Sequence, residues 1–320
     1  MGMASRSIGL TEIGEALKKA KSRWYSLHMA AASHAIAQRI PLADFILEVR
    51  DARIPLSSHY QLLSNFPPSS LRRIIVMNKT DANRSIKEWT KYFEQQNCIS
   101  YGVNSHNKEN VKEFLNFLQA QVRELKRTGH SGHATTMMIT GIPNVGKSAL
   151  ANSLHQLGRI SAADCSHPNI YLLDTPGILP PQILDSEVCS KLALTGAIEN
   201  LVGEKELARY FLAIFNTSDG YKKWERLSTH GNDKSFTGQD DFMVNRVRQT
   251  LLESISCLDG NVQNEKHLEE LIEAQFTALR EAFLVSSEPG IDSQTRISAK
   301  LLNLYRTGRL GHYTLDPLPL

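Results

Sequence analysis

The sequence predicts an α/β fold, with a doubly wound and mostly parallel sheet, followed by a mainly α-helical C-terminal domain. Short aliphatic segments alternate with helical segments through the first half of the chain, as in sheets built from strand–helix–strand units. A phosphate-loop pattern separates one aliphatic segment from a helix. Beyond Pro180-Pro181 helical periodicity replaces the alternation. We therefore predict an N-terminal segment at 1–23, an α/β domain at 24–182 and a helical domain at 183–320.

Composition restricts the class of protein. The 320 residues are 41% hydrophobic and 22% charged, as in soluble globular proteins. Because no apolar run reaches about 18 residues, we expect no transmembrane segment, so any membrane association would be peripheral. The net charge of +3 permits an RNA partner without requiring one. Four cysteines without a C-x-x-C pair fit a reducing compartment and no zinc site. We expect a monomer.

The N-terminal segment supports two interpretations. Its net positive charge and its Ala, Leu and Ile content are typical of a mitochondrial targeting helix. Targeting helices are poor in acids, however, and Glu12 and Glu15 favour an ordinary solvated helix instead. Both interpretations remain open. The basic residues are Arg6, Lys18, Lys19, Lys21 and Arg23.

The helices and strands before the phosphate loop are predicted from hydrophobic periodicity, and their ends from the positions of proline and glycine. Aliphatic runs predict strands, and Ile74 to Met77 has the composition of a buried parallel strand. The predicted helices are Trp24–Arg39, Ser85–Gln95 and Glu109–Lys126; the predicted strands are Ala43–Val49, Leu71–Met77 and Cys98–Val103; Thr128–His133 is a linker.

The phosphate loop runs from Gly141 to Ser148 and matches G-x-x-x-x-G-K-[ST]. Glycines at its two ends allow the tight backbone turn that aims N–H groups at phosphate oxygens. Lys147 supplies a positive charge for the β and γ phosphates, and the Ser148 hydroxyl is a Mg²⁺ ligand. The helix Ala149–Leu157 points its positive end at the same anion. Asn144, Val145, Gly146 and Ala149 complete the predicted cradle.

A later strand, Asn169–Leu173, carries Asp174-Thr175-Pro176-Gly177 at its end. Asp174 is the expected partner of Mg²⁺ through a bound water, and the Gly177 N–H can meet the γ-phosphate. Helices at Glu265–Leu284 and Ser293–Tyr305, with a polar loop at about 217–240, make up the predicted second domain.

The sequence Asn78-Lys79-Thr80-Asp81 follows a predicted strand and indicates a guanine-binding loop. A carboxylate at Asp81 can accept hydrogen bonds from guanine N1–H and the 2-amino group, which adenine lacks. Lys79 can cover the purine, and the Asn78 amide can tie this loop to the phosphate loop. The predicted nucleotide is therefore GTP or GDP. If the sequence were an incidental turn, an ATP-using P-loop kinase would be the alternative, and GTP/ATP competition distinguishes them.

The order of these motifs is unusual, because the guanine-binding loop precedes the phosphate loop. With Asp51-Ala52-Arg53, this order resembles the circularly permuted GTPases that assist assembly of the large ribosomal subunit, in particular the mitochondrial DAR type and its bacterial relatives. The resemblance spans Trp24 to the tail segment Tyr305–Gly311. It implies a circularly permuted G domain at 24–182, in which the phosphate loop and the guanine-binding loop meet at one rim of the sheet.

The resemblance also implies further site residues. His28, in Trp24-Tyr25-Ser26-Leu27-His28-Met29, matches a histidine proposed to help hydrolysis, although the residues before it differ from the family's pattern. Asn144 matches a position linked to K⁺ beside the phosphates. Asn104 and Ser105, after the predicted strand Cys98–Val103, join the expected GTP-binding set.

The region between the phosphate loop and Asp174 departs from the family. Only 25 residues, Ala149 through Leu173, lie between Ser148 and Asp174, too few for a helix, a full switch loop and an edge strand. None of them is the threonine that ligates Mg²⁺ in the family's switch I. We therefore expect a shortened form that binds nucleotide but hydrolyses it poorly, with the edge of the Ile170–Leu173 strand exposed. Ser161 and Ser166 lack a recognisable switch context.

Two functions follow as expectations. The first is a GTPase acting in assembly of the large, mitochondrial ribosomal subunit, with its GTP state gating contact with rRNA and ribosomal proteins. The alternative is a nucleotide-gated assembly module with little hydrolysis. The expected compartment is the mitochondrial matrix, with the chloroplast or cytoplasm as alternatives. Basic residues of the helical domain are candidate RNA contacts, although a solvated helix-face charge is the commoner role: Lys222, Lys223, Arg226, Arg296, Lys300, Arg306 and Arg309.

Overall fold

The computed structural model describes most of the chain. The described residues are 25–67, 71–80, 84–128, 134–161, 169–199, 202–217, 239–257, 261–262, 264–285, 292–311 and 314–319. They divide into two compact units, one reaching Gln182 and one beginning at Ile183. The segment 1–23, the linker 129–133 and most of the polar loop 217–240 lie outside the described residues.

The chain from Asp316 onward groups with the first unit, whereas the sequence-based boundaries assign it to the helical domain. The reason is local. The Asp316 carboxylate accepts hydrogen bonds from the backbone N–H groups of Leu56 and Ser57, both at 2.8 Å, and from the Ser57 hydroxyl at 2.6 Å. A tail segment is thereby fixed to a loop 260 residues away along the chain. The remaining domain boundaries stay a prediction.

A five-stranded parallel sheet forms the centre of the first unit. The strand order is β3-β2-β1-β4-β5, and each neighbouring pair is parallel. This confirms the predicted doubly wound α/β architecture. The strands are β1 Phe45–Asp51, β2 Arg73–Asn78, β3 Ile99–Gly102, β4 Ala134–Thr140 and β5 Asn169–Asp174.

β1 ends two residues later than predicted. Its ladder with β2 continues to the pair Asp51–Asn78, and all seven residues of β1 are buried. Periodicity placed the end at Val49 because charged residues follow. Those charges are compensated inside the fold: Arg50 pairs with Glu48, and Asp51 pairs with Arg53. A buried charge is tolerated when it is paired and hydrogen-bonded.

Helices flank the strands in chain order. The described helices of the first unit are α1 Leu27–Arg39, α2 Arg84–Gln95, α3 Lys108–Arg127 and α4 Lys147–Ser161. Asn107 caps α3 by accepting the N–H groups of Glu109 and Asn110. α4 begins within the phosphate loop and ends four residues beyond its predicted end. Only residues 162–168, which lie outside the described residues, separate it from β5.

β5 is the last strand of the sheet within the part of the chain that the structure describes. Its Tyr171 side chain is 63% exposed, and Ile170, Leu172 and Leu173 are only half-buried. By contrast, the aliphatic side chains of β1 and β2, which are interior strands, are fully buried. The described residues therefore leave the outer edge of β5 without a pairing strand, in line with the expected exposure of Ile170–Leu173.

The second unit is helical, as predicted. Its described helices are α5 Ser186–Leu194, α6 Glu204–Thr217, α7 Gln239–Ser256, α8 Glu265–Ala282 and α9 Ser293–Arg306. Side chains of Asp185, Asn264 and Asp292 cap α5, α8 and α9. Inside, the amides of Asn216 and Gln275 donate to each other at 2.9 Å and so satisfy both buried groups. None of the described helices is long and apolar enough to cross a bilayer.

Candidate functional site: a nucleotide cradle at the carboxyl ends of the strands

Asn78 joins three loops at the carboxyl ends of neighbouring strands. The side chain is fully buried at the end of β2. Its Nδ2 donates to the Val145 carbonyl at 2.9 Å, and its Oδ1 accepts the Ser105 N–H at 3.2 Å. The predicted tie between the guanine-binding loop and the phosphate loop is therefore present. The loop after β3 meets the same side chain.

Gly146 permits this approach. Its φ of +91° lies in the left-handed region, and a Cβ placed there would lie 2.3 Å from Asn78 Nδ2. Gly141, with φ +149°, has a comparable reason, because a Cβ would lie 2.4 Å from the Val49 carbonyl oxygen of β1. At both positions a side chain would collide with a neighbouring part of the protein, so glycine is required there even without a phosphate group.

Lys79 bridges the two loops directly. Its Nζ donates to the Asn144 carbonyl at 2.6 Å and to Asp51 Oδ2 at 3.0 Å. Its backbone takes a φ of +62°, which is uncommon for a residue with a Cβ. Burial lowers the pKa of Lys79; the Asp51 carboxylate opposes this decrease and the nearby Arg53 charge adds to it.

The Lys147 side chain turns back onto the phosphate loop. It is buried, and its Nζ donates to the Ile142 carbonyl at 2.7 Å. Burial lowers its pKa to about 8, although Asp174 acts in the opposite direction. A Cβ on Gly177 would lie 2.6 Å from Pro143 Cα and 2.9 Å from Lys147 Nζ. The D-T-P-G backbone therefore lies directly against the phosphate loop.

Ser148 and Asp174 form the candidate Mg²⁺ position. The Ser148 hydroxyl donates to Asp174 Oδ2 at 3.0 Å, and both side chains are exposed. Asp174 Oδ1 accepts the Thr175 N–H, and the Thr175 hydroxyl donates to the Ile139 carbonyl of β4 at 2.8 Å, which fixes the turn. One hydroxyl and one carboxylate suit Mg²⁺, which binds few protein oxygens and keeps phosphate and water ligands. No cluster of three or more His, Cys, Asp or Glu occurs among the described residues.

The other predicted site residues, except Asp81, have defined positions. Thr80 is buried and its N–H donates to the Val103 carbonyl at 3.3 Å. Asn104 accepts the His106 N–H, Asn144 has φ +59°, and Ala149 is in the first turn of α4. Asp81 lies outside the described residues, although its neighbours Asn78 and Lys79 contact the phosphate loop. His28 lies in the first turn of α1 with an exposed side chain; the hydrogen bonds that join the loops come from other residues.

Two of the candidate RNA contacts bind backbone carbonyls within their own unit. Arg306 donates to the carbonyls of Ala193 and Leu194 at the end of α5, and Lys300 donates to the Phe283 carbonyl after α8. Cations are favoured at helix C-termini. These contacts favour a structural role for the two residues. Arg296 and Arg309 are half-buried, and Lys222, Lys223 and Arg226 lie outside the described residues.

The role of Asp51 and Arg53 was missed from the sequence, where they served only as a family signature. A signal was present. β1 and β2 are adjacent parallel strands, so the residues that follow them meet at one edge of the sheet. Charged Asp51-Ala52-Arg53 at the end of β1 therefore belongs beside Asn78-Lys79 at the end of β2.

Comparison with known proteins identifies the relatives of this chain. No model of a protein family matches it. It is 50% identical to DAR GTPase 2, mitochondrial, of Arabidopsis thaliana over an alignment of 354 positions, gaps included, that covers 95% of this chain and 94% of the relative. It is 35% identical to Short integuments 2, mitochondrial, of the same plant, covering 93% and 90%. Ribosome biogenesis GTPase A of Bacillus pumilus is 34% identical, covering 59% and 73%.

A solved structure agrees on the fold. The GDP-bound structure of TM YlqF matches with a TM-score of 0.52 at 19% identity, covering 89% of this chain and all of the other. The sequence match covers 95% of this chain, and the fold match covers 89%. The chain therefore belongs to the family of circularly permuted GTPases that includes DAR GTPase 2 and ribosome biogenesis GTPase A.

Proposed function

We propose that this chain binds GTP with Mg²⁺, hydrolyses it to GDP and phosphate, and acts in assembly of the large ribosomal subunit. The observation that carries the nucleotide assignment is the contact of Asn78 and Lys79 with the carbonyls of Val145 and Asn144. These contacts bring the guanine-binding loop and the phosphate loop together. A nucleotide in the cradle would have its base at the first loop and its phosphates at the second.

Each group of the cradle has a chemical task. The Asp81 carboxylate selects guanine, and the Lys79 stem covers the ring. Asn104 and Ser105, held through Asn78 and Asn110, shape the opposite wall of the base pocket. Lys147 and the N–H groups from Asn144 to Ala149 neutralise the phosphates. Bound at Ser148 and Asp174, Mg²⁺ would offset charge on the β and γ phosphates.

The cellular role is inferred from the relatives. Two of those reported above are named mitochondrial proteins, and a bovine relative is named mitochondrial ribosome-associated GTPase 1, with 33% identity over 61% of this chain. We propose the mitochondrial matrix as the compartment, and rRNA and proteins of the large subunit as partners. A monomer gated by its bound nucleotide is the proposed working state.

The rate of hydrolysis depends on the segment between α4 and β5. In the alignment to DAR GTPase 2, 95% of this 320-residue chain is about 304 residues, about 50 fewer than the 354 aligned positions. This chain therefore has gaps of about 50 positions in total against that protein. We propose that part of them falls in the short stretch from Ser148 to Asp174. We propose that hydrolysis is retained but slow, because Mg²⁺ and the γ-phosphate lack the switch threonine. Stimulation by K⁺ at Asn144, and a role of His28 in hydrolysis, belong to the same proposal.

A titration with a fluorescent guanine nucleotide tests the binding assignment. Wild type should bind GTP and GDP, and excess ATP should not displace them. Asp81→Asn should weaken guanine nucleotides and admit xanthine nucleotides, because the amide can donate to a 2-oxo group. Displacement by ATP as effective as by GTP would instead support the P-loop kinase alternative.

Hydrolysis is measured separately. Phosphate release from GTP should require Mg²⁺, increase when K⁺ replaces Na⁺, and increase further with isolated large ribosomal subunits. His28→Ala should reduce the rate without changing GDP affinity. Nucleotide binding without phosphate release under all of these conditions would favour the nucleotide-gated assembly module.

A further inference from the structure

Asp51 is a buried anion that contacts the guanine-binding loop through Lys79. Its Oδ1 accepts the Arg53 N–H at 3.0 Å and Arg53 Nε at 2.9 Å; its Oδ2 accepts Arg53 Nη2 at 2.7 Å and Lys79 Nζ at 3.0 Å. Asp51 is 2% exposed and Arg53 is 1% exposed. Arg53 therefore grips the carboxylate from both oxygens and leaves one direction of Oδ2 for Lys79.

Lys79 is the residue through which this pair can reach a nucleotide. Its Nζ is shared between Asp51 and the Asn144 carbonyl of the phosphate loop. Lysine is otherwise among the most flexible side chains, and ordering it on binding would cost affinity. With both acceptors in place, the ammonium end of the side chain is already fixed by two contacts.

We propose that Asp51, oriented by Arg53, is a positioning residue that fixes Lys79 for the purine ring and thereby sets the affinity for guanine nucleotides. This inference rests on the proposed function. In this proposal the Asp51-Ala52-Arg53 sequence does more than stabilise the fold. Its Asp51, at the end of β1, holds Lys79, in the loop at the end of β2, in position before nucleotide binds.

The charges support this assignment. Two cations, Arg53 and Lys79, share the buried carboxylate of Asp51. This negative charge offsets the repulsion between the Lys79 ammonium and the Arg53 guanidinium. Burial alone would raise the pKa of the Asp51 carboxyl, but the charge and hydrogen bonds of Arg53 and the charge of Lys79 hold it far below its usual range. Asp51 is therefore ionised throughout the physiological range. Without it, Lys79 would face the Arg53 charge with only a carbonyl as its partner.

A purely structural role is the competing explanation. Asp51 also begins the turn that follows β1, since its carbonyl accepts the Ile54 N–H at 2.9 Å and its N–H donates to Ser58 Oγ at 3.1 Å. Those bonds involve the backbone and survive a change of side chain. Substitution by Asn would test the carboxylate alone.

The test is a double-mutant cycle with two readouts. GDP affinity and thermal unfolding of nucleotide-free protein are measured for wild type, Asp51→Asn, Lys79→Met and the double variant. Methionine keeps most of the stem over the base but removes the ammonium. Asp51→Asn should weaken GDP by roughly tenfold to a hundredfold, as expected for loss of a charge-assisted contact that pre-organises the site. The double variant should bind GDP within about twofold of Lys79→Met, because both changes remove one interaction.

Glu48→Gln is the matched control. Glu48 is a fully buried carboxylate on the same strand, and it pairs with Arg50, Arg73 and His59, none of them a residue of the cradle. It should lower the unfolding temperature but change GDP affinity by less than about threefold. If Asp51→Asn does not fold, Arg53→Lys replaces it. A lysine keeps the charge but cannot grip both carboxylate oxygens, so GDP affinity should fall, and the loss should disappear in the Lys79→Met background.

Several results would overturn the inference. Unchanged GDP affinity in Asp51→Asn would do so, and so would equal losses with and without Lys79, since these indicate independent effects. In both cases wild type still binds guanine nucleotides, and the proposed function stands. Failure of wild type to bind GDP would instead reject the proposed function, and the inference with it.

Discussion

At the scale of single residues, two glycines of this chain provide a matched experiment. Gly146 has φ +91°, and an added Cβ would meet Asn78 Nδ2 at 2.3 Å; at Gly158, in α4, an added Cβ would meet no atom within 4 Å. Gly146→Ala should separate the phosphate loop from Asn78 and reduce GDP affinity at least about a hundredfold. Gly158→Ala should leave affinity unchanged and stabilise the protein by about 0.5–1 kcal/mol.

Titration calorimetry and urea unfolding of the two variants provide these measurements. Equal GDP affinity for both would show that the tight approach of Asn78 to the phosphate loop is dispensable for binding. A loss of stability in Gly158→Ala would mean that the C-terminal part of α4 makes contacts beyond those described.

Lys147 makes nucleotide binding depend on pH. Burial lowers its pKa to about 8 in the free protein, whereas phosphate oxygens favour the charged ammonium and raise it. Binding of GDP should therefore take up a proton on the alkaline side of pH 8, and affinity should decline from about pH 8 upward. Lys147→Met should bind more weakly and lose this part of the pH dependence. Calorimetry in buffers of different ionisation enthalpy measures the proton uptake; its absence at pH 8.5 would contradict the prediction.

The same shift acts on stability with a defined sign. The folded pKa is below the unfolded one, so between about pH 8 and the ordinary lysine pKa the unfolded chain binds the extra proton. The contribution of Lys147 to the free energy of unfolding of nucleotide-free protein therefore increases with pH in that window. In Lys147→Met this contribution is absent. The difference in the free energy of unfolding between wild type and Lys147→Met, followed against pH, therefore separates the contribution of Lys147 from those of the other titrating groups.

At the scale of elements, periodicity identified the strands and helices of the α/β domain and two of the five described helices of the second unit, but the ends of these elements depended on tertiary partners. The extension of β1 to Asp51 requires Arg53 and Asn78, which lie on a loop and on another strand. The phosphate loop and the guanine-binding loop were predictable because glycine, lysine, asparagine and aspartate occur there at spacings set by nucleotide chemistry. The Lys79–Asp51 contact was not, since it depends on which strands are neighbours and on how a flexible side chain is shared.

The Asp316 tail shows the same limit and yields a prediction. The tail has no periodicity that would indicate where it packs, but one carboxylate accepts three hydrogen bonds from the loop at Leu56 and Ser57. Asp316→Ala leaves those donors without their partner and should destabilise the protein by roughly 1–3 kcal/mol. Asp316→Asn should cost less, because one oxygen remains. Urea unfolding measures both. GDP affinity should change little, and equal stability of wild type and Asp316→Ala would contradict the prediction.

At the scale of the whole molecule, the contacts between the two predicted nucleotide loops lie apart from the connection between α4 and β5. Among the described residues, Asn78 and Lys79 provide the contacts that join the base loop to the phosphate loop, so we expect nucleotide binding not to depend on that connection. The outer edge of β5 and the proposed sensing of the γ-phosphate are different, because both concern the connection itself. We therefore expect nucleotide binding and switching to be separable.

The exposed edge of β5 leads to the last prediction. An uncovered strand whose centre, Ile170–Leu173, has no charged residue can pair with another chain, and natural edges are protected by charges, especially lysine. Tyr171, 63% exposed, is the position for such a charge. Tyr171→Lys should slow aggregation on warming, as followed by light scattering, whereas Tyr171→Phe should not. GDP affinity should be equal in all three chains, because Tyr171 lies three residues before Asp174 and makes none of the contacts described for the cradle. If Tyr171→Lys aggregates as fast as wild type, then residues 162–168 or another segment must already cover this edge, and the shortened connection has no cost for the sheet.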